Sequence, residues 1–336
     1  MSPRATPARL AASVLVLLGA LAGALLLAAS VGPAPPPGLA VPEETRRFIV
    51  SGIRIPRAFL AALVGGALAC CGATFQALLR NPLADPYLLG VSGGGSLGAV
   101  AAIVLGLPAL LPGLPVLPAA AFAGCLAALG LIHAVAQRRG HLLAQDLLLA
   151  GVVANSFFLA ALAVLQYLAS PHQAAAILHW TLGAVRTEES FPWIASGLAA
   201  AAFFSILRDA VPLNLLSVGD ESAALLGVDV GAVRRRTFVA ASVLTGTAVA
   251  VSGPIGFVGL FVPHSVRRVL GPDHRILLPA SFLAGAAFLV LADTAARSAF
   301  GAQEIPVGVL TAVVGAPSFV LLLSRRERGA AEGTLP

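Results

Sequence analysis

Few side chains in this 336-residue chain could do chemistry, and their types and spacing exclude most of it. The six histidines are scattered, and no His-Glu-x-x-His pair is present to hold a catalytic zinc. No Ser/His/Asp set has nucleophile-elbow spacing. A phosphate-cradling Gly-rich loop needs a following lysine, and the chain has no lysine at all. Cys70, Cys71 and Cys125 lie inside apolar stretches without metal-ligand spacing, and they read as small packing residues. His264, in Val262-Pro263-His264, reads as a polar residue near a helix end, and Gly93-Gly94-Gly95 as close helix packing. Neither a catalytic set nor a metal set is expected, so the chain is read as no enzyme.

What remains is charge placed at conspicuous points. In Gly219-Asp220-Glu221-Ser222-Ala223-Ala224-Leu225-Leu226-Gly227, Asp220 is placed to N-cap a short helix, Glu221 suits its positive end and Gly227 can close it. A helix of about two turns does not hold itself together in water. It therefore packs against its own bundle or enters a groove on a partner. Arg54-Ile55-Pro56-Arg57 opens an apolar run, with Pro56 suited to a first helical turn. Two cations there oppose the helix dipole, which suits contact with an acidic partner or with lipid headgroups. Arg297 follows Asp293 by four residues, a spacing that allows an intrahelical pair. Arg80-Asn81-Pro82-Leu83-Ala84-Asp85-Pro86 is a turn stiffened by two prolines, either a plain helix connection or the closure of a conduit.

The elements that must position these residues follow from composition. The chain is 58% hydrophobic and 11% charged, with a mean hydropathy of +0.93. Soluble domains are about half apolar and about a quarter charged. That excludes a soluble enzyme, a disordered chain and a disulfide-stapled secreted domain. The net charge of +6 does not imply nucleic-acid binding, because the arginines stand as ones, twos and threes between apolar runs. Apolar runs at roughly 10–30, 57–79, 88–107, 117–136, 146–168, 191–207, 236–253, 255–270, 276–296 and 306–323 predict about ten transmembrane helices. They are too long and continuous for barrel strands. The expected fold is all-α, a polytopic membrane helical bundle. The seventh and eighth runs meet at Ser252-Gly253-Pro254, which permits a reversal.

The first run resembles a signal peptide in its flanking Arg4 and Arg9. Its apolar stretch of about 20 residues exceeds a typical signal core, and it is read as a retained span. With the N-terminus inside, fifteen arginines fall on the cytoplasmic side and six outside, so both termini are expected in the cytoplasm. The whole chain, 1–336, is then one transmembrane domain. It has short tails at 1–9 and 325–336 and a cytoplasmic loop at about 208–235.

Taken in order, these segments resemble the permease subunits of the vitamin B12, haem and iron-siderophore ABC importers (FecCD-type, type II). The matching residues begin with Arg54-Ile55-Pro56-Arg57, then Arg80 to Pro86 running on through Gly90-Val91-Ser92-Gly93-Gly94. Ser252-Gly253-Pro254-Ile255-Gly256-Phe257, Gly271-Pro272-Asp273-His274-Arg275, Ile305-Pro306-Val307-Gly308 and Gly315-Ala316-Pro317 complete them. The resemblance implies a homodimer of permease chains in the bacterial inner membrane. It also implies two cytoplasmic ATPase subunits that hold ATP-Mg and a periplasmic substrate-binding protein. This chain itself would bind no cofactor and no nucleic acid. By resemblance, Gly219, Asp220, Glu221, Ala224, Leu225, Leu226 and Gly227 form the ATPase-coupling element, and Arg54, Arg57 and Arg297 dock the binding protein. Asn81, Pro82 and Leu83 form a cytoplasmic gate with a second position at Ala144 and Gln145, which are not the small hydroxyl residues of the B12 permease. The implied cargo is an iron chelate, haem or cobalamin. The rival reading is an ion-coupled secondary transporter. It would place ionisable residues at mid-membrane, where these runs are nearly empty of them.

Overall fold

The computed structural model describes residues 7–32, 42–87, 89–136, 144–187, 192–299 and 304–318, and every regular element among them is helical. Residues 1–6 and 325–336 of the expected tails lie outside this set. In chain order the helices are α1 (Pro7–Ser30), α2 (Glu43–Phe48), α3 (Ile55–Leu78), α4 (Val91–Val104), α5 (Leu107–Leu110) and α6 (Val116–Ala136). Then come α7 (Ala144–Leu168), α8 (Pro171–Thr181), α9 (Pro192–Arg208), α10 (Ala210–Val218) and α11 (Asp220–Leu225). The last four are α12 (Val230–Ser252), α13 (Val258–Leu270), α14 (His274–Ser298) and α15 (Val307–Ser318).

Five stretches are long and apolar enough to cross a membrane: Ala11–Ser30, Glu43–Leu78, Val116–Ala136, Ala144–Leu168 and His274–Ser298. The pair α9–α10, bent by 55° at Asp209, makes a sixth if counted as one span. The remaining expected spans differ from full crossings for identifiable reasons. α12 has 23 residues, but Arg234, Arg235 and Arg236 and several hydroxyl residues lower its hydropathy. α4 and α13 have 14 and 13 residues, about 20 Å of helix against a hydrocarbon core of about 30 Å. Each starts late because its leader is irregular. Gly90 and Phe257, their N-caps, both take left-handed backbone angles, at φ +79 and +68. Gly253, also left-handed, makes the expected reversal. Such non-helical backbone is tolerated at depth where protein buries it.

α3 is the axis of the bundle. In its best apolar window 83% of residues are buried, against 28% for α6 and α7 and 11% for α1, so α3 is wrapped by protein while the others face outward. Small residues let backbones meet. A Cβ on Gly65 would stand 2.2 Å from the Gly285 carbonyl of α14, and one on Gly72 would stand 1.8 Å from the Gly259 carbonyl of α13. The Gly93–Gly95 run serves the same end, since a Cβ on Gly94 would meet Ala128 of α6 at 2.5 Å.

Two sequence expectations change here. Pro56 does fall in the first turn of α3, as its type suggests, but that turn is not a free helix start. It lies inside a 36-residue helix, Glu43–Leu78, whose π-helical turn Ile49–Arg54 precedes the proline. A proline removes one backbone donor and crowds the carbonyl four residues earlier, and a π turn relieves both. The 208–235 loop, read as the longest polar interruption, is largely helical. α10 buries Ala210, Leu213 and Leu216 against the bundle.

Candidate functional site

The arginine-rich end of the bundle carries α11. Its N-cap is Gly219 in an extended conformation, so Asp220 is not the cap the sequence suggested. Asp220 occupies the first helical position and turns its carboxylate sideways. Both oxygens accept from Nη2 of the buried Arg234, at 2.8 and 2.9 Å, and Arg80 Nη2 stands 3.8 Å away. The two neighbouring acids thus face different ways, since Glu221 is exposed. Ala223 is fully buried, whereas Leu225 is 89% exposed and Leu226 67%. Gly227, at φ +82, closes the helix by donating to the Ala224 carbonyl at 2.9 Å. The two readings of this segment therefore each describe one face: one packs on the bundle and the other is open.

Polar contacts brace the ground around α11. The bend at Asp209 is held by Arg236, which contacts both carboxylate oxygens, and by Thr237 Oγ1 at 3.3 Å. Asn214 of α10 donates to Asp273 Oδ1 at 2.8 Å and accepts from the His274 backbone N–H at 2.8 Å. Hydrogen bonds from Arg275 hold the Asp273 carboxyl well below the usual range, with Asn214 adding to the effect.

The turn after α3 runs from Arg80, at φ +48, back into the protein. Asn81 Oδ1 accepts the Leu83 N–H at 2.9 Å, an Asx turn that leaves Pro82 and Leu83 exposed. Ala84, Asp85 and Pro86 are buried. Asp85 Oδ1 accepts the Tyr87 N–H at 2.7 Å. Burial pushes the Asp85 carboxyl up to about 6, against the opposing effect of that hydrogen bond. Ala144, buried, and Gln145, exposed, begin α7 on a separate element, and the turn before them lies outside the described residues.

At the other end of α3 and α14 the three singled-out arginines come together. Arg57 grips Asp293 through Nε, shared between Oδ2 at 3.0 Å and Oδ1 at 3.2 Å, and through Nη2 to Oδ1 at 2.9 Å, and its Nη1 reaches Glu304 at 2.7 Å. Arg297, only 4% exposed, has Nε 3.7 Å from Asp293 Oδ2 and donates to the Ala28 carbonyl. Arg54 Nη1 donates to the Ala29 and Ser30 carbonyls, both at 3.2 Å. Arg54 and Arg297 thus cap the C-terminus of α1, where cations are favoured. The dipole conflict read from the sequence disappears, because Arg54 and Arg57 lie well inside the 36-residue helix. The main partner of Asp293 is Arg57, 236 positions away and beyond the reach of a spacing rule. The Arg297 pair four residues on is present but longer. α8 was missed as well, although Ser170 and Gln173 form a capping box that its sequence displays.

A multi-helix apolar bundle with a stub helix exposed at one end and charge clustered at both is the architecture of a multi-pass membrane protein. The chain belongs to the FecCD transport family, whose model matches residues 11–325. It is a permease subunit of the ABC importer type. It is 43% identical over 306 residues to a cobalamin import system permease of Halobacterium salinarum, covering 89% of this chain and 79% of that one. It is also 43% identical over 281 residues to a hemin transport system permease of Yersinia pestis, covering 82% and 83%. Its fold matches a solved metal-chelate type ABC transporter in an inward-facing conformation, with a TM-score of 0.80 and 30% identity over 93% of this chain and 99% of that one.

Proposed function

We propose that this permease, as a homodimer in the bacterial inner membrane, imports a metal chelate of the cobalamin, haem or ferric-siderophore class. Ten crossings with both termini in the cytoplasm is the topology that fits the fifteen-to-six arginine asymmetry. The chain itself binds no cofactor. ATP-Mg belongs to two cytoplasmic ATPase subunits, and a periplasmic binding protein delivers the cargo to the face that carries Arg54, Arg57 and Arg297. Asn81, Pro82 and Leu83, with Ala144 and Gln145, gate the inner mouth.

The observation that carries this reading is α11. A six-residue helix with Leu225 and Leu226 open to solvent has its apolar face unpartnered within the chain, and an ATPase groove is the partner that fits it. Asp220 ties the helix to α12 through Arg234 and stands beside Arg80 at the head of the gate turn. Movement of α11 is thereby passed to the bundle, biasing it between outward and inward states. Co-purification with the ATPase tests this. Leu225→Glu should abolish capture of the ATPase while the permease itself remains folded. Capture equal to wild type would overturn the assignment.

A further inference from the structure

Three consecutive arginines stand near the start of α12, and the fold gives partners to two of them. The buried Arg234 holds Asp220, and Arg236 holds Asp209. Arg235 is exposed, and so is Arg208 in the last turn of α9. Among the described residues neither of these two forms an ion pair. The remaining acid at this end of α12, Asp229, caps the helix by accepting the Ala232 N–H at 2.9 Å. Arg208, Arg235 and Arg236 against Asp209 and Asp229 leave an excess of positive charge.

Arg235 and Arg236 stand at one end of a groove of about 590 Å³ between α9 and α12. Its walls recur at helical spacing, with Leu198, Ala202 and Ser205 on α9 and Val239 and Val243 on α12. Leu198 is 38% exposed and Val239 40%, so the groove opens on the outside of the chain. Arg208 lies three residues beyond Ser205, on the same face of α9 and at the end where Arg236 meets Asp209. From Arg235 to Val243 the groove follows about 12 Å of helix, most of the roughly 15 Å that the hydrocarbon of one leaflet spans.

An occupant complementary to this surface has an anionic head and an apolar chain on one molecule. A free anion would leave the apolar length uncovered. A cytoplasmic protein would reach the arginines and stop there. A second copy seated about a twofold axis would set arginine against arginine. Arginine at the edge of a span is tolerated when its long stem carries the charge out to the headgroups. We propose that the α9–α12 groove binds an anionic phospholipid, its phosphate on Arg235 and Arg208 and one acyl chain laid along Val239 and Val243. This site is independent of the cargo and of the coupling helix.

The test uses the full-length permease in proteoliposomes doped with phosphatidylglycerol or phosphatidylcholine carrying a diazirine at mid-chain, with the crosslinked peptides identified by mass spectrometry. In the wild type phosphatidylglycerol should label the stretches around Leu198–Ser205 and Val239–Val243 in excess over phosphatidylcholine. Arg235→Gln should reduce that excess about five-fold, the worth of one arginine at an anionic surface, and adding Arg208→Gln should abolish it. Continued shielding of Cys70, Cys71 and Cys125 from maleimide reports that each variant folds. Equal labelling by the two lipids in the wild type, or an excess that survives the double substitution, overturns the site. So does displacement of the lipid by inorganic phosphate at matched ionic strength, which would make this a site for a free anion. Loss of ATPase capture in Arg235→Gln with the lipid excess intact would assign the arginine to the ATPase instead.

Discussion

The carboxylate that organises the outer end makes the sharpest prediction. Asp293 is 2% exposed and is gripped by Arg57, itself 16% exposed at the side chain, with Arg297 behind it. Asp293→Asn changes almost no volume but removes the negative charge that holds two guanidinium groups together. Breaking a buried ion pair by removing one partner costs about 3–5 kcal/mol. Here Arg57 keeps Glu304, which is 45% exposed, and Arg297 keeps the Ala28 carbonyl. The net loss should therefore fall to about 2–3 kcal/mol. For a chain of this length that corresponds to a fall in Tm of about 3–4 °C. The protein carries its own reporter, because Cys70, Cys71 and Cys125 are all buried and become reactive to a thiol dye only on unfolding. The same variant should bind the binding protein more tightly at low salt, since Asp293 competes with any incoming carboxylate for Arg57 and Arg297. A stability loss with unchanged or weaker docking would refute the competition, and an unchanged Tm would falsify the buried-pair account itself.

Two further outcomes follow from the packing and from the stub helix. Gly72→Ala places a methyl group 1.8 Å from the Gly259 carbonyl, backbone against side chain, and should cost about 3 kcal/mol or prevent assembly of α3 with α13. Gly130→Ala, with nothing within 4 Å of its new Cβ, should be neutral or stabilise by about 0.5–1 kcal/mol. The thiol-dye melt compares the two, and equal effects would refute the close-approach argument. Asp220→Asn leaves Arg234 buried without its counter-charge and should lower Tm, whereas Glu221→Arg should leave Tm unchanged and reduce ATPase capture. A lower Tm in the Glu221 variant would mean that the two acids do not divide their work between inside and outside.

How much of this was legible in the sequence depended on the range of each interaction. Hydropathy is a sum over neighbours, so the helical bundle and the approximate runs were visible. Gly227 closes α11, and Gly253 makes its reversal, for local reasons that sequence displays. The errors were also local rules, applied without their context. Pro56 does sit in the first turn of α3, yet the π turn before it makes that turn a continuation, and Asp220 looks like a cap until Arg234 claims it. The half-length helices α4 and α13 were hidden because apolar content says how much chain is buried and not whether it is helical. Their late starts are set by backbone angles at Gly90 and Phe257.

What no spacing rule contains is the tertiary choice of partner. The sequence offers Asp293 one arginine four residues on, and the fold gives it a better one from a helix 236 positions earlier. Asp85 is the reverse case. Its sequence neighbourhood, Pro82 to Pro86, reads as a stiff turn at the membrane edge, where a carboxylate would be solvated and ordinary. The close approach of Gly72 and Gly259 leaves room for that turn to fold inward beside α3, and only then does the carboxylate become an anomaly. Two glycines therefore decide the chemistry of a third residue that neither of them resembles in type. A larger side chain at Gly259 would displace Pro86, which it would meet at 2.9 Å, and carry Asp85 out of its buried place.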